Sequence, residues 1–337
     1  MSVVPLIPRR PDQPPPTTGR PIVIGIVNNM PDAALRTTEQ QVRDLLSRSA
    51  GDLPVSLRVF SLPEMPRSEA GRLHVGQFHE PIAALWTSNV DALIVTGTEP
   101  KAPTLEAEPY WSALARLIDW AEENTTSTIW SCLAAHAAAA HLDGVERRPL
   151  ESKLIGVFEC DRASDHPLVD GGPSRWCVPH SRCNELPEEA LVRAGYRILT
   201  RSPEVGADVF IREGKSLFLF LQGHPEYDST GLFGEYRRDI RRFLAGDNDR
   251  YPELPRGYFN RETAEAMLEF RERALRERDI AVLPSFPAAA AGRQLTAPWR
   301  ATATRLYANW LSYLADRRAV PHRTARIRER RPEPLPV

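Results

Sequence analysis

Apolar residues along this chain fall into short runs separated by polar punctuation. "PIVIGIV" (21–27) reads as a buried strand and runs into the turn "NNMPD". Leu35, Thr38, Val42, Leu45 and Leu46 then recur at helical spacing, which predicts a helix with one buried face. "VSLRVF" (55–60) and "DALIVTG" (91–97) predict two further strands, the second ending in a glycine. "YWSALARLIDWAEEN" predicts an amphipathic helix, "TSTIWS" a strand and "LAAHAAAAHL" an Ala-rich helix. Strands alternating with helices predict an α/β fold with a doubly wound, mostly parallel sheet flanked by helices.

The second half is more mixed. "KLIGVFEC", "RWCVPH", "YRILT", "DVFIR" and "SLFLFL" predict short strands spaced by turns, followed by a helix from Gly231 to Leu244. "ETAEAMLEFRERALRERD" predicts a helix with a charged face, "LPSFPAAAAGRQLTAP" a flexible insertion, and "WRATATRLYANWLSYLADRR" a closing helix. The expected organisation is a Pro-rich flexible arm at 1–20, one domain over 21–316 and an Arg/Pro-rich tail at 317–337. Within the domain, 260–297 reads as a helical, partly flexible insertion, and appended helices close it.

Composition narrows the function. With 337 residues the chain can bury a full core, and 43 basic residues balance 44 acidic ones. That balance speaks against nucleic acid or an anionic membrane as a partner of the whole surface. No run of about 18 apolar residues occurs and no secretory signal pattern opens the chain, so a cytoplasmic location is expected. Cys132, Cys160, Cys177 and Cys183 are expected to be reduced thiols. Cys177, His180 and Cys183 lack a nearby fourth ligand, so no metal site is expected.

Three strand ends carry chemistry, at the edge where open α/β sheets place their ligands. In "TIWSCLAAHA", Cys132 lies between a strand and a helix, where a sharp turn projects a nucleophile and the helix N-terminus favours a thiolate. A thiol among Ala and Leu reads equally as a small buried hydrophobe. In "LQGHPEYD", His224 follows a strand and Glu226 can accept from its far ring nitrogen, fixing the tautomer of a general base. Alone, that pair reads as a capped turn; with Cys132 it reads as a Cys-His-Glu triad. In "VTGTEP", Gly97 permits close backbone approach, so an N–H near Gly97 or Thr98 can join that of Leu133 in an oxyanion hole. Further on, "EYRR" puts Glu235 and Arg238 on one helical face, able to meet an ammonium and a carboxylate or simply each other. Arg182 in "VPHSR" is a second cation for the pocket, or a structural arginine.

A cysteine followed by H-P-E on such a chain is similar to class I glutamine amidotransferases. The fuller set points elsewhere: "IGIVNNMPD", "DALIVTGTEP", "TSTIWSCLAAHA", "KLIGVF", "VPHSR", "GHPEYD" before "EYRRD", and "PWRATATRLYANWLSYL". In order and spacing this set resembles the homoserine O-succinyltransferase family, over about 20–315 apart from much of 260–295. The resemblance implies a glutamine amidotransferase-like fold and acyl transfer from acyl-CoA to the hydroxyl of L-homoserine, in methionine biosynthesis. It implies Cys132 as nucleophile, His224 as base and Glu226 as the residue orienting it, with Glu235 and Arg238 on the amino-acid substrate.

Two positions depart from the family pattern. A lysine usually follows "MP"; here "MPDAALR" offers Arg36 as its replacement. The position tied to acyl-donor choice holds Lys101, which can meet the free carboxylate of succinyl-CoA, so succinyl-CoA is favoured over acetyl-CoA. The expected partners are these small molecules as co-substrates, with no bound cofactor and a homodimer left open. Serine as acceptor, a glutaminase or peptidase using the same triad, and a non-catalytic binding module remain the alternatives.

Overall fold

The computed structural model describes residues 20–292 and 294–319. The arm and the tail therefore lie outside the described residues, save their inner ends. Nine strands form one sheet: β1 (Ile22–Val27), β2 (Val55–Phe60), β3 (Ala92–Val95), β4 (Ser127–Ser131), β5 (Arg148–Arg162), β6 (Arg175–Glu185), β7 (Arg197–Ser202), β8 (Gly206–Glu213) and β9 (Leu217–Leu221). Their order is β2-β1-β3-β4-β9-β8-β7-β5-β6. The first five are parallel, and from β9 onward each neighbour is antiparallel. The parallel half matches the alternating first half of the sequence, and the antiparallel half the closely spaced strands of the second.

The helices are α1 (Leu35–Ser49), α2 (Glu69–Phe78), α3 (Ile82–Leu85), α4 (Trp111–Asn124), α5 (Leu133–Asp143), α6 (Glu188–Arg193), α7 (Gly231–Leu244), α8 (Arg261–Glu277), α9 (Ala288–Gly292) and α10 (Arg300–Ala319). Strand side chains alternate between the two faces, so a parallel strand covered on both sides reads as a continuous apolar run. Ile24, Ala92, Ile129, Leu217 and Leu219 pack beneath α1 and α10; Leu93, Val95, Trp130, Phe218 and Phe220 pack against α4 and α5. Trp310 on α10 donates its indole N–H to Ser127 Oγ at 2.9 Å, pinning the closing helix to β4.

A third apolar cluster joins α7 to α8 through Tyr236, Ile240, Met267 and Phe270. Phe286 belongs to it, so the stretch read as flexible also supplies a buried aromatic, and Trp299 at the start of the closing segment joins it. Sequence periodicity did not reveal α2 and α3. The cap of α2 was nonetheless written locally, because Ser68 accepts from Gly71 N at 3.2 Å.

Candidate active site

Because β1, β3, β4 and β9 are parallel, their carboxyl ends open on one edge of the sheet. Met30, Gly97, Thr98, Cys132, Leu133, His224 and Glu226 line one cavity there, of about 430 Å³. A larger groove of about 730 Å³ runs between 150–158 and 253–264 and meets none of these seven.

Cys132 is the N-cap of α5 and holds φ 50°, ψ −115°, a conformation costing an L-residue roughly 1–3 kcal/mol. Its own N–H donates to Leu221 O at 2.7 Å, tying the end of β4 to the end of β9. The thiol thereby stands beside the turn that begins at Gln222.

That turn explains "QGHPE" residue by residue. Gln222 is buried; its amide accepts from Leu186 N at 2.9 Å and donates to Ala207 O at 2.6 Å. A β-carbon on Gly223 would lie 2.5 Å from Val178 Cγ1 and 2.8 Å from Asp208 Oδ1, so only glycine fits without displacement. His224 N donates to Pro179 O at 2.8 Å. The imidazole Nδ1 then meets Glu226 Oε1 at 2.9 Å, and the ring shares the cavity with Cys132. It also stacks on Tyr227, with centroids 4.4 Å apart and planes 13° from parallel.

Electrostatics agree with that arrangement. Burial opposes charge on His224, but the Glu226 carboxylate and the Cys132 sulfur outweigh it and hold the imidazole well above its ordinary range. A thiol, an imidazole and a carboxylate in this order have the groups that nucleophilic catalysis requires.

The oxyanion candidates also converge. A β-carbon on Gly97 would lie 2.9 Å from Leu133 N and 3.1 Å from Ser131 O. As the first residue of α5, Leu133 has an N–H with no intrahelical acceptor. Thr98 lines the same cavity.

Glu235 and Arg238 both reach this cavity from α7, with Oε2 and Nη2 3.8 Å apart. Glu235 accepts from Tyr227 OH at 2.8 Å and from the Ser181 hydroxyl, and Lys153 Nζ stands 3.3 Å away. Burial pushes its carboxyl up, but Lys153, Arg238, His224 and Ser181 pull it down to about 2. Lys153 also donates to Asp239 at 2.6 Å. Sequence reasoning quoted "KLIGVF" and "GHPEYD" without assigning Lys153 or Tyr227; the polar residue opening an apolar strand was the available signal.

Three expected cations are placed differently from one another. Arg182 lines the cavity but donates to the carbonyl of Asn184 at 2.8 Å and to that of Val205, so it braces β6. Lys101 is exposed and absent from the lining; the loop turns there because Lys101 N and Ala102 N both donate to Glu108. Arg36 is exposed on α1, donates to His74 Nδ1 at 3.2 Å and is likewise absent from the lining.

Among the described residues, Glu39–His74–His79 and Cys160–His180–Asp208 gather potential metal-ligand atoms within 4.8 Å of one another. In each, an arginine Nε donates to an imidazole Nδ1: Arg36 to His74, and Arg182 to His180 at 3.4 Å. A ring accepting at Nδ1 carries its proton on Nε2, the atom that would have to bind the metal. Hydrogen bonds to Glu39 account for the first cluster, whereas in the second His180 Nε2 and Asp208 Oδ1 stand 3.2 Å apart without a hydrogen bond.

The family model described as homoserine O-succinyltransferase matches residues 10–320. The chain belongs to the homoserine O-succinyltransferase family. A homoserine O-succinyltransferase of Rhodopseudomonas palustris is 48% identical over 91% of this chain and 92% of the relative. One from Methylorubrum extorquens is 46% identical over 89% of each. Among solved structures, a glutamine amidotransferase from Methylobacillus flagellatus aligns with 87% of this chain and 94% of its own, at 14% identity and a TM-score of 0.48. Among the described residues no helix is long and apolar enough to cross a membrane.

Proposed function

We propose that this family member transfers an acyl group, succinyl by preference, from acyl-CoA to the hydroxyl of L-homoserine through a Cys132 thioester, a step of methionine biosynthesis. The observation that carries the reading is the Cys132–His224–Glu226 arrangement opening into the cavity that also holds Glu235 and Arg238.

His224 takes the thiol proton and Glu226 stabilises the resulting imidazolium. The thiolate attacks the thioester carbonyl, the N–H groups of Leu133 and of Gly97 or Thr98 hold the oxyanion, and coenzyme A departs as its thiol with the proton from His224. One thioester replaces another, so this half-reaction is nearly balanced. Homoserine then enters, its carboxylate against Arg238 and its ammonium against Glu235. His224 removes the hydroxyl proton, the alkoxide attacks the acyl-enzyme, and Cys132 leaves.

The test is release of free thiol from succinyl-CoA or acetyl-CoA, each with homoserine or serine, and ammonia release from glutamine. The expected result is fastest thiol release with succinyl-CoA and homoserine, with parallel double-reciprocal lines. No thiol from any of the four mixtures, together with ammonia from glutamine, would replace the reading with an amidotransferase.

A further inference from the structure

Five cationic side chains line the cavity, and four of them have partners. Lys153 bonds Asp239 and Glu235, and Arg238 meets Asp239 at 3.3 Å. Arg242 grips Glu99 through two bonds of 2.6 and 2.7 Å, and Arg182 is spent on backbone carbonyls. The fifth is Arg147. Its Nη1 is buried and meets no hydrogen-bond partner among the described residues. A desolvated guanidinium nitrogen without an acceptor is costly, and an incoming carboxylate relieves that cost through a charge-assisted, two-pronged contact.

We propose that Arg147 is a specificity-determining residue that receives the free carboxylate of a dicarboxylic acyl group carried on Cys132. The inference rests on the acyl-transfer reading above. Arg147 lines the same cavity as Cys132 and His136, and its charge acts on His136, one helical turn along α5 from Cys132. An acyl chain with a second carboxylate extends from the sulfur past His136 toward the guanidinium. His136 does not compete for that carboxylate as a second cation. Burial, with the nearby charges of Arg182 and Arg147, pushes its imidazole down to about 3, and Nε2 stays on Gln222 Oε1 at 3.1 Å. Lys101 is exposed, on the loop that Glu108 anchors, whereas Arg147 lines the cavity itself. A coenzyme A phosphate offers related anionic chemistry, but the burial of Nη1 suits a small enclosed group better than a solvated polyphosphate.

The test compares wild type, Arg147→Gln and Arg147→Lys with succinyl-CoA and acetyl-CoA at saturating homoserine, and measures inhibition by free coenzyme A. Losing a hydrogen bond to a charged group should lower kcat/KM for succinyl-CoA by about 10- to 100-fold in Arg147→Gln. Inhibition by coenzyme A and any acetyl transfer should stay unchanged, and Arg147→Lys should recover part of the loss. Equal weakening of both donors and of coenzyme A inhibition would assign Arg147 to a phosphate and overturn the proposal. Undiminished succinyl transfer in a folded Arg147→Gln protein would overturn it too. A wild-type enzyme inert toward both succinyl-CoA and acetyl-CoA would remove the acyl-transfer reading along with it, so the two failures are distinguishable.

Discussion

Gly97 and Leu133 approach so closely that a β-carbon on the glycine would lie 2.9 Å from the leucine amide nitrogen. The end of β3 thus presses its backbone onto the first turn of α5, beside Cys132. Gly97→Ala should obstruct this N–H and lower kcat by about 100-fold, the scale of one lost oxyanion donor. Alkylation of Cys132 by iodoacetamide should persist, separating a blocked donor from a collapsed site. Unchanged kcat in Gly97→Ala would remove Leu133 N–H from the mechanism.

Cys132→Ala should abolish transfer, and intact-protein mass spectrometry of wild type incubated with succinyl-CoA alone should show one succinyl adduct. His224→Ala should slow transfer by about 1000-fold through loss of the general base. Transfer by Cys132→Ala at the wild-type rate would end the covalent scheme.

Glu226→Gln removes the leading influence that raises the His224 pKa and leaves burial, which lowers it. The His224 titration followed by NMR should therefore move to lower pH. Because the folded value in wild type is raised, the imidazolium stabilises the fold fully below the ordinary histidine range. That contribution fades as pH rises through the raised value. The stability advantage of wild type over Glu226→Gln, measured by urea unfolding, should accordingly shrink at high pH.

Glu235 behaves in the opposite sense. Its pKa is depressed to about 2, so its charge and the associated stability are present above the ordinary carboxylate range and are lost only as pH falls toward 2. The KM for homoserine should therefore show no carboxylate titration on acidification through the ordinary glutamate range of about 4 to 5, which lies above the depressed value. A rise with unit slope in that window would show that Glu235 does not hold the ammonium.

Lys153 bridges two carboxylates of α7, Glu235 at 3.3 Å and Asp239 at 2.6 Å. Lys153→Met leaves both undercompensated and should cost about 2 kcal/mol of stability, by loss of hydrogen bonds to charged groups. The KM for homoserine should rise while succinylation of Cys132 by succinyl-CoA alone proceeds. Unchanged homoserine KM would confine Lys153 to bracing the helix.

Much of the architecture was legible because burial on both faces writes itself into a strand as an unbroken apolar run. "PIVIGIV", "ALIV" and "LFLFL" could be little else. The meeting of Cys132, His224 and Glu226 in one cavity was legible for a related reason: a parallel sheet brings its carboxyl ends to one edge, so residues placed after separate strands converge. Helix α2 escaped notice because only Gly71 and His74 of its ten residues are buried, which leaves little periodicity to read.

By itself the sequence determined which residues could carry chemistry, at which strand ends, and which face of each element turns inward, since these follow from local periodicity and side-chain type. Only the tertiary structure decided which cation each acid takes. Lys153 and Glu235 stand 82 residues apart in the chain, Arg242 and Glu99 stand 143 apart, and Lys101 turns away because a glutamate seven residues on captures its backbone. Charge pairing depends on distances of a few ångströms between remote segments, and linear spacing along a chain carries no record of them.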